Sequence, residues 1–147
     1  RKFLVDVTKL PQLNKGKKLC QGYLWSSPDK SLRIRIVDNT AFLTIKTGTD
    51  ILQRSEFEYE IPISDAEELL QQCDNKIEKE RFILSHAGNS WEIDIFYGRN
   101  KGLIVAEIEL LHKNQAIELP EWVTQEVTND TRYLNVSLAN HPFLDWK

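Results

Sequence analysis

Apolar and polar residues alternate along most of the chain, a pattern typical of β-strands that have one buried face. Short clusters of glycine, proline, asparagine, aspartate and serine interrupt the alternation and indicate turns. We therefore predict eight strands and one shorter strand-like segment near the C-terminal end. The strands are residues 1–6, 18–25, 31–37, 40–47, 54–61, 76–86, 90–97 and 103–112, and the shorter segment is residues 124–128.

One of these strands, residues 54–61, carries an unusual set of charges. Its first face is largely apolar, and its second face holds Arg54, Glu56, Glu58 and Glu60. Three carboxylates stacked on one strand face repel each other, so a solvent-facing sheet usually mixes its signs. By itself the pattern leaves two interpretations open. The face is either solvated, as in many antiparallel sheets, or it lies against a bound cationic group.

A single clear helix is predicted after this strand. Ser64 is a suitable N-cap, and Glu67 completes a capping box. Apolar residues then recur at helical spacing and form a stripe for packing on the sheet: Ala66, Leu69, Leu70 and Cys73. Residues 133–139 are expected to be helical or irregular. Together the elements predict a mainly β (α+β) fold, in which eight antiparallel strands close into a β-barrel tunnel with a few packing helices.

Composition and length indicate one domain that comprises the whole chain, residues 1–147. Hydrophobic residues make up 41% and charged residues 28%, which is ordinary for a globular protein. The net charge of −3 argues against a generic nucleic-acid-binding protein, which is usually basic. Two cysteines without metal-type spacing favour a reducing, cytoplasmic location. The sequence has no apolar run long enough to cross a bilayer, so no membrane partner is expected.

Charged residues of one sign occur in i, i+2 pairs on several predicted strands. The basic pairs are Arg33/Arg35 and Lys79/Arg81, and the acidic pairs are Glu56/Glu58, Glu92/Asp94 and Glu107/Glu109. A solvated exterior explains such pairs poorly, because mixed signs would cost less free energy. Inside a barrel, clustered carboxylates suit Mg²⁺ or Mn²⁺, and clustered arginine and lysine suit phosphate oxygens. The pattern therefore favours a metal–polyphosphate site over a barrel with a charged exterior.

Several motifs together resemble the CYTH, or triphosphate tunnel metalloenzyme, superfamily. The first residues, Arg1-Lys-Phe-Leu-Val5, are similar to the end of its Glu-x-Glu-x-Lys-Phe signature. The other motifs follow in the family's order: Gln21-Gly-Tyr-Leu24, Leu32-Arg-Ile-Arg35, Thr44-Ile-Lys46, Arg54-x-Glu-x-Glu58, Lys79-x-Arg81, Trp91-Glu-Ile-Asp94, Glu107-Ile-Glu109 and Trp122-x-x-x-Glu126-Val-Thr128. The set is specific although no single motif is, and the likeness is greatest to the short bacterial inorganic triphosphatases.

The resemblance implies roles for three groups of residues. Phosphate oxygens would be bound by Lys2, Arg33, Arg35, Lys46, Arg54, Lys79 and Arg81. A divalent metal ion, Mg²⁺ or Mn²⁺, would be held by Glu107, Glu109 and Asp94. The catalytic residues would be Glu56, Glu58 and Lys79, with one of the glutamates orienting or deprotonating the attacking water. Glu60 matches no family motif and is expected at the tunnel mouth.

The implied reaction is metal-dependent hydrolysis of the terminal phosphate of a small triphosphate, either inorganic triphosphate or a nucleoside triphosphate. Adenylate cyclase and thiamine triphosphatase, which use the same fold, stay open as alternatives, and so does a tunnel that binds polyphosphate or nucleotide without turnover. A monomer or a homodimer is expected. The two signature glutamates would precede Arg1, and since the sequence contains no methionine, we expect the natural chain to begin earlier.

Overall fold

The computed structural model describes residues 1–48 and 54–146, which form one antiparallel sheet with two α-helices. The strands are β1 (Lys2–Val5), β2 (Lys17–Ser26), β3 (Lys30–Val37), β4 (Thr40–Thr47), β5 (Ser55–Ile61), β6 (Lys76–His86), β7 (Asn89–Phe96), β8 (Ile104–Glu107) and β9 (Val123–Glu126). The helices are α1 (Ile63–Gln71) and α2 (Asn135–Asn140). Neither helix is long and apolar enough to span a bilayer, a finding that covers the described residues.

The predicted mainly β architecture is confirmed, with nine strands in the order β5-β4-β3-β2-β6-β7-β8-β1-β9. The predicted strand-like segment near the C-terminal end is the ninth strand, β9. Hydrogen bonds do not close the sheet into a barrel, because β5 and β9 each pair with one neighbour within the described residues. The tunnel is therefore a curled sheet that is open between its two edge strands.

Strand register places the charged residues on one face of the sheet, which we call the inner face. Arg35 lies beside Gln21 of β2, and Arg81 of β6 lies beside Asp94 of β7. Glu92 of β7 lies beside Glu107 of β8. Since side chains alternate between the two faces of a strand, the intervening apolar residues point to the opposite, outer face.

Helix α1 covers the outer face of β2, β3 and β4. Its apolar stripe is confirmed, and the buried Ala66 and Leu70 pack in a cluster with Ile34 and Ala41. The predicted capping box is wrong, because the N-cap is Pro62 and no side chain caps the helix. The proline ring holds φ at −59°, so the helix begins directly after it and Ser64 already lies inside the first turn.

The strand predicted for residues 103–112 is much shorter than expected, since β8 ends at Glu107. The next residue, Ile108, is buried in a second outer cluster with Phe3, Trp91 and Trp122. Ile108 thus packs over the outer face, and it still exchanges backbone hydrogen bonds with Arg1. Residues 49–53, between β4 and β5, lie outside the described residues.

The C-terminal segment packs on the apolar end of the inner face. Ile77 and Phe96 of the sheet cluster there with Tyr133 and with Leu138 of α2. Residues 133–139 were expected to be helical or irregular, and most of them form α2 (Asn135–Asn140). One end of the inner face is therefore filled by the chain itself, and the rest carries the charged residues.

Candidate active site

A cavity of about 370 Å³ lies on the inner face and brings together five of the predicted site residues. They are Lys2, Arg33, Lys46, Arg54 and Glu107. Lys46 belongs to β4 and Lys2 to β1, which are six strands apart in the sheet order. Neighbouring strands are spaced by roughly 4.8 Å, so only a strongly curled sheet can place both side chains around one cavity. We call this space the phosphate cavity.

A second cavity, of about 390 Å³, continues the cationic lining towards the start of β2. It is lined by the predicted residues Arg35 and Arg81, together with Lys15, Lys17 and Glu92. Six of the seven predicted phosphate ligands therefore line one of the two cavities. The seventh, Lys79, lies two residues before Arg81 on the same face of β6 and is 3% exposed.

Asp94 holds two of these cations in place. Its carboxylate accepts a hydrogen bond from Lys79 Nζ at 2.8 Å and two from Arg81, at 2.8 and 3.0 Å. Arg81 also contacts Glu92 at 2.7 Å. The structure thus places Asp94 against cations, although the family resemblance implied a metal ligand.

The pKa values of this cluster follow from burial and from the ion pairs. Burial lowers the pKa of Lys79, and the nearby Asp94 charge only partly opposes that effect. For Asp94, burial acts to raise the pKa, but the hydrogen bond from Arg81 and the charges of both cations lower it overall. The hydrogen bond to Asp94 raises the pKa of Arg81. Asp94 and Arg81 are therefore charged at neutral pH.

Within the described residues, Arg33 and Arg35 make few hydrogen bonds for the five N–H donors that each guanidinium carries. Arg35 donates a hydrogen bond to Gln21 at 2.9 Å. Burial, and then the positive charges of Arg33 and Arg81, lower the pKa of Arg35 to about 10. The buried Nε of Arg33 and the buried amide nitrogen of Gln21 have no hydrogen-bond partner within the described part of the chain. Buried donors without acceptors cost free energy, so this cluster is suited to an anionic ligand that accepts hydrogen bonds.

The three glutamates of β5 all lie on the inner face and are exposed. Glu56 lies beside Lys46, Glu58 beside Thr44, and Glu60 beside Phe42. Glu58 is also close enough to Arg35 to influence its titration. The register therefore carries the glutamate row along the same wall as the arginine pair of β3.

The carboxylates of the inner face suit a divalent ion whose other ligands come from a phosphate group. Glu107 lies directly beside Glu92. The contact of Arg81 with Glu92 offsets part of the repulsion between the two carboxylates, and a divalent ion would offset the rest. Glu109 is exposed and lies beyond the end of β8. No group of three metal-binding side chains occurs in residues 1–48 and 54–146. Two carboxylates are nevertheless sufficient, because Mg²⁺ completes its shell with water and substrate phosphates.

Several residues of the site received no individual role in the sequence-based prediction, although Gln21, Thr44 and Glu92 lie in the motifs or charged pairs named above. Gln21, Tyr23 and Thr44 lie on the inner face, and the last two line the phosphate cavity. Lys17 and Glu92 line the second cavity. Each lies an even number of residues along its strand from a residue that belongs to a family motif or was given a role. Strand periodicity could therefore have identified them as inner-face residues, although it could not show which of them meet across the cavity.

The fold and the site define a curled antiparallel sheet whose inner face is suited to a polyanion. Comparison with known proteins supports this description of the fold and the site. Residues 1–141 match the CYTH domain model, and the chain belongs to the CYTH family.

Two relatives and one solved structure extend the match. The chain is 40% identical, over 149 residues, to an inorganic triphosphatase of Acetivibrio thermocellus, with 100% of this chain and 96% of the relative covered. It is 35% identical to an inorganic triphosphatase of Nitrosomonas europaea, with 95% and 94% covered. The crystal structure of the inorganic triphosphatase NE1496 is also similar, with a TM-score of 0.79, 34% identity, and 95% and 94% of the two chains covered. Membership of this family of metalloenzymes implies a divalent metal ion.

Proposed function

We propose that this protein is a hydrolase that releases the terminal phosphate of inorganic triphosphate. The observation that carries the proposal is the partly buried Arg33–Arg35 pair. The Nε of Arg33 has no partner among the described residues, so the pair suits an anion with several acceptor oxygens. The names of the two relatives, both inorganic triphosphatases, support the choice of substrate.

The cations of the inner face would bind and orient the substrate. Lys2, Arg33, Lys46 and Arg54 surround the phosphate cavity, and their charges would neutralise the phosphate oxygens. Phosphoryl transfer depends chiefly on positioning and on charge stabilisation. Lys79 is held at a fixed position by Asp94, so it would stabilise the charge that develops at the reacting phosphate without reorganisation.

The attacking water would be oriented by a glutamate of β5. Glu58 and Glu56 both lie on the wall that carries the arginine pair, and either carboxylate would accept a hydrogen bond from the water. A water placed in line with the departing phosphate oxygen requires no covalent intermediate. Lys79 and these two glutamates are therefore the proposed catalytic residues.

The proposed metal is Mg²⁺ or Mn²⁺, which Glu107 would hold. The adjacent Glu92 contacts Arg81 and would share its carboxylate with the ion. Glu109 is a further candidate ligand, whereas Asp94 would act through Lys79 and Arg81. When bound, the ion would neutralise negative charge of the triphosphate and help to fix its orientation. The protein residues would supply the remaining positive charge.

Phosphate release from tripolyphosphate tests the proposal directly. The purified protein should release phosphate in the presence of Mg²⁺ or Mn²⁺. This hydrolysis should stop when a chelator removes the metal. Arg33→Ala should lower kcat/KM by about 100-fold or more, the typical effect of losing a donor to the reacting group. Arg99→Ala, which removes an exposed arginine paired with Asp145, is the matched control. Tight tripolyphosphate binding without any phosphate release would instead indicate a binding module.

A further inference from the structure

The phosphate cavity and the second cavity of the inner face meet at two places. On β3, Arg33 lines the phosphate cavity, and Arg35, two residues further along the same face, lines the second cavity. On β8 and β7, Glu107 of the phosphate cavity lies directly beside Glu92 of the second cavity. The arginine pair and the carboxylate pair therefore both lie where one compartment passes into the other.

Each compartment has its own set of cations. The phosphate cavity is lined by Lys2, Arg33, Lys46 and Arg54, and the second cavity by Lys15, Lys17, Arg35 and Arg81. Arginine and lysine side chains bind phosphate oxygens through charge-assisted hydrogen bonds. Hydrolysis of a triphosphate turns one anion into two, and two anions that repel each other are best held at separate groups of cations. The two compartments provide such groups.

The outer end of the second cavity carries two lysines that had no part in the predicted substrate site. Lys17 lies beside Arg81 at the start of β2, and Lys15 precedes that strand. Both lysines are exposed, and neither forms an ion pair within the described part of the chain. Glu92, the carboxylate that lines this cavity, already contacts Arg81. The cavity therefore keeps an excess of positive charge that attracts a small anion.

We propose that the second cavity binds a phosphate product of the reaction and is the route by which that product leaves. Water attacks the terminal phosphorus, one P–O bond forms and the bond to the pyrophosphate group breaks. Tripolyphosphate and water thus give orthophosphate and pyrophosphate, and the protons of the water pass to the products or to solvent. One product moves past Arg35 and Arg81 to Lys15 and Lys17. The inference rests on the proposed triphosphatase function and adds product release to it.

Product inhibition tests the site. Initial rates with radiolabelled tripolyphosphate are measured in the presence of orthophosphate and, separately, of pyrophosphate. The double variant Lys15→Ala/Lys17→Ala should raise the inhibition constant of one product by about tenfold, the effect expected when a charge-assisted hydrogen bond is lost. The affected product identifies the anion that uses this route. The KM for tripolyphosphate should change several times less. Lys101→Ala, which removes an exposed lysine outside both cavities, should change none of these constants.

Titration calorimetry measures product binding without turnover. In the absence of tripolyphosphate, the Kd of the affected product should rise by about tenfold in the double variant, whereas Lys17→Arg, which keeps the charge, should retain most of the affinity. Normal hydrolysis with unchanged inhibition constants and Kd for both products would overturn the product site and leave the triphosphatase function standing. A KM for tripolyphosphate that rises as much as the inhibition constant would also overturn it, because the lysines would then bind substrate. Absence of hydrolysis in the wild type would overturn the function itself.

Discussion

Lys79 donates a hydrogen bond to Asp94 across 2.8 Å, and the side chain of this lysine is 1% exposed. Arg81 binds the same carboxylate. One acid therefore fixes the position of two cations on the inner face of the sheet. The arrangement ties the stability of the fold to the geometry of the proposed site.

Removal of the Asp94 charge should destabilise the protein. Asp94→Asn leaves Lys79 buried without its counter-charge, and loss of one partner from a buried ion pair costs about 3–5 kcal/mol. Urea unfolding at pH 7 measures the difference in the free energy of unfolding. Asp130→Asn, at an exposed pair with Arg132, should change the free energy of unfolding much less, because solvent screens an exposed ion pair. Similar losses in the two variants would contradict the role of Asp94.

The same substitution should show a characteristic pH dependence. Because the pKa of Asp94 is lowered in the folded protein, its stabilisation is complete above the ordinary aspartate pKa and is lost as the pH falls through the folded value. The stability difference between wild type and Asp94→Asn should therefore shrink in acid. Unfolding curves at pH 7 and at several pH values below the ordinary aspartate pKa of 3.8 measure it, and a difference that stays constant throughout that acid range would argue against an ionised Asp94.

Activity should fall at alkaline pH because of Lys79. Its lowered pKa means that the ammonium loses its proton below the ordinary value of 10.5, and neutral lysine no longer attracts phosphate. The pH profile of kcat/KM reports the free enzyme and should show this descending limb. Lys79→Arg should move the limb to higher pH, since arginine keeps its charge. An unchanged limb in that variant would assign the titration to another group.

The glutamates of β5 should differ in their importance. Glu58→Gln should lower kcat by about 100-fold or more, if its carboxylate orients or deprotonates the water. Glu60→Gln should retain nearly full activity, because Glu60 lies beside Phe42 and outside the family's motifs. Steady-state kinetics with tripolyphosphate compare the two variants. Equal losses would indicate that the whole row of carboxylates acts through its charge.

Metal dependence should identify the role of Glu107. Glu107→Gln removes one of two adjacent carboxylates, so a higher Mg²⁺ or Mn²⁺ concentration should be needed for half-maximal activity. Glu109→Gln shows whether the residue beyond the end of β8 takes part. Titration of activity with each metal measures both effects. An unchanged metal requirement in Glu107→Gln would place the metal elsewhere.

Strand positions and faces were predictable from the sequence because alternation depends on local sequence and on a single buried face. Arg33 and Arg35 share a face for this reason, as do Glu56 and Glu58. The end of β8 was not predictable, because the alternation continues at Ile108, which packs in the same outer cluster as Ala106 of β8. Partners across the sheet depend on strand order and curvature, and so the contact of Asp94 with Lys79 and Arg81 needed the structure.

The alternation also separates two kinds of selection along a single strand. On β3, Ile34 belongs to the packed outer cluster, while Arg33 and Arg35 belong to the charged face. Tolerance to substitution should therefore alternate residue by residue, with one set limited by folding and the other by catalysis. Ligand preference can then evolve on the inner face by single replacements, while the residues that maintain the fold stay unchanged between them.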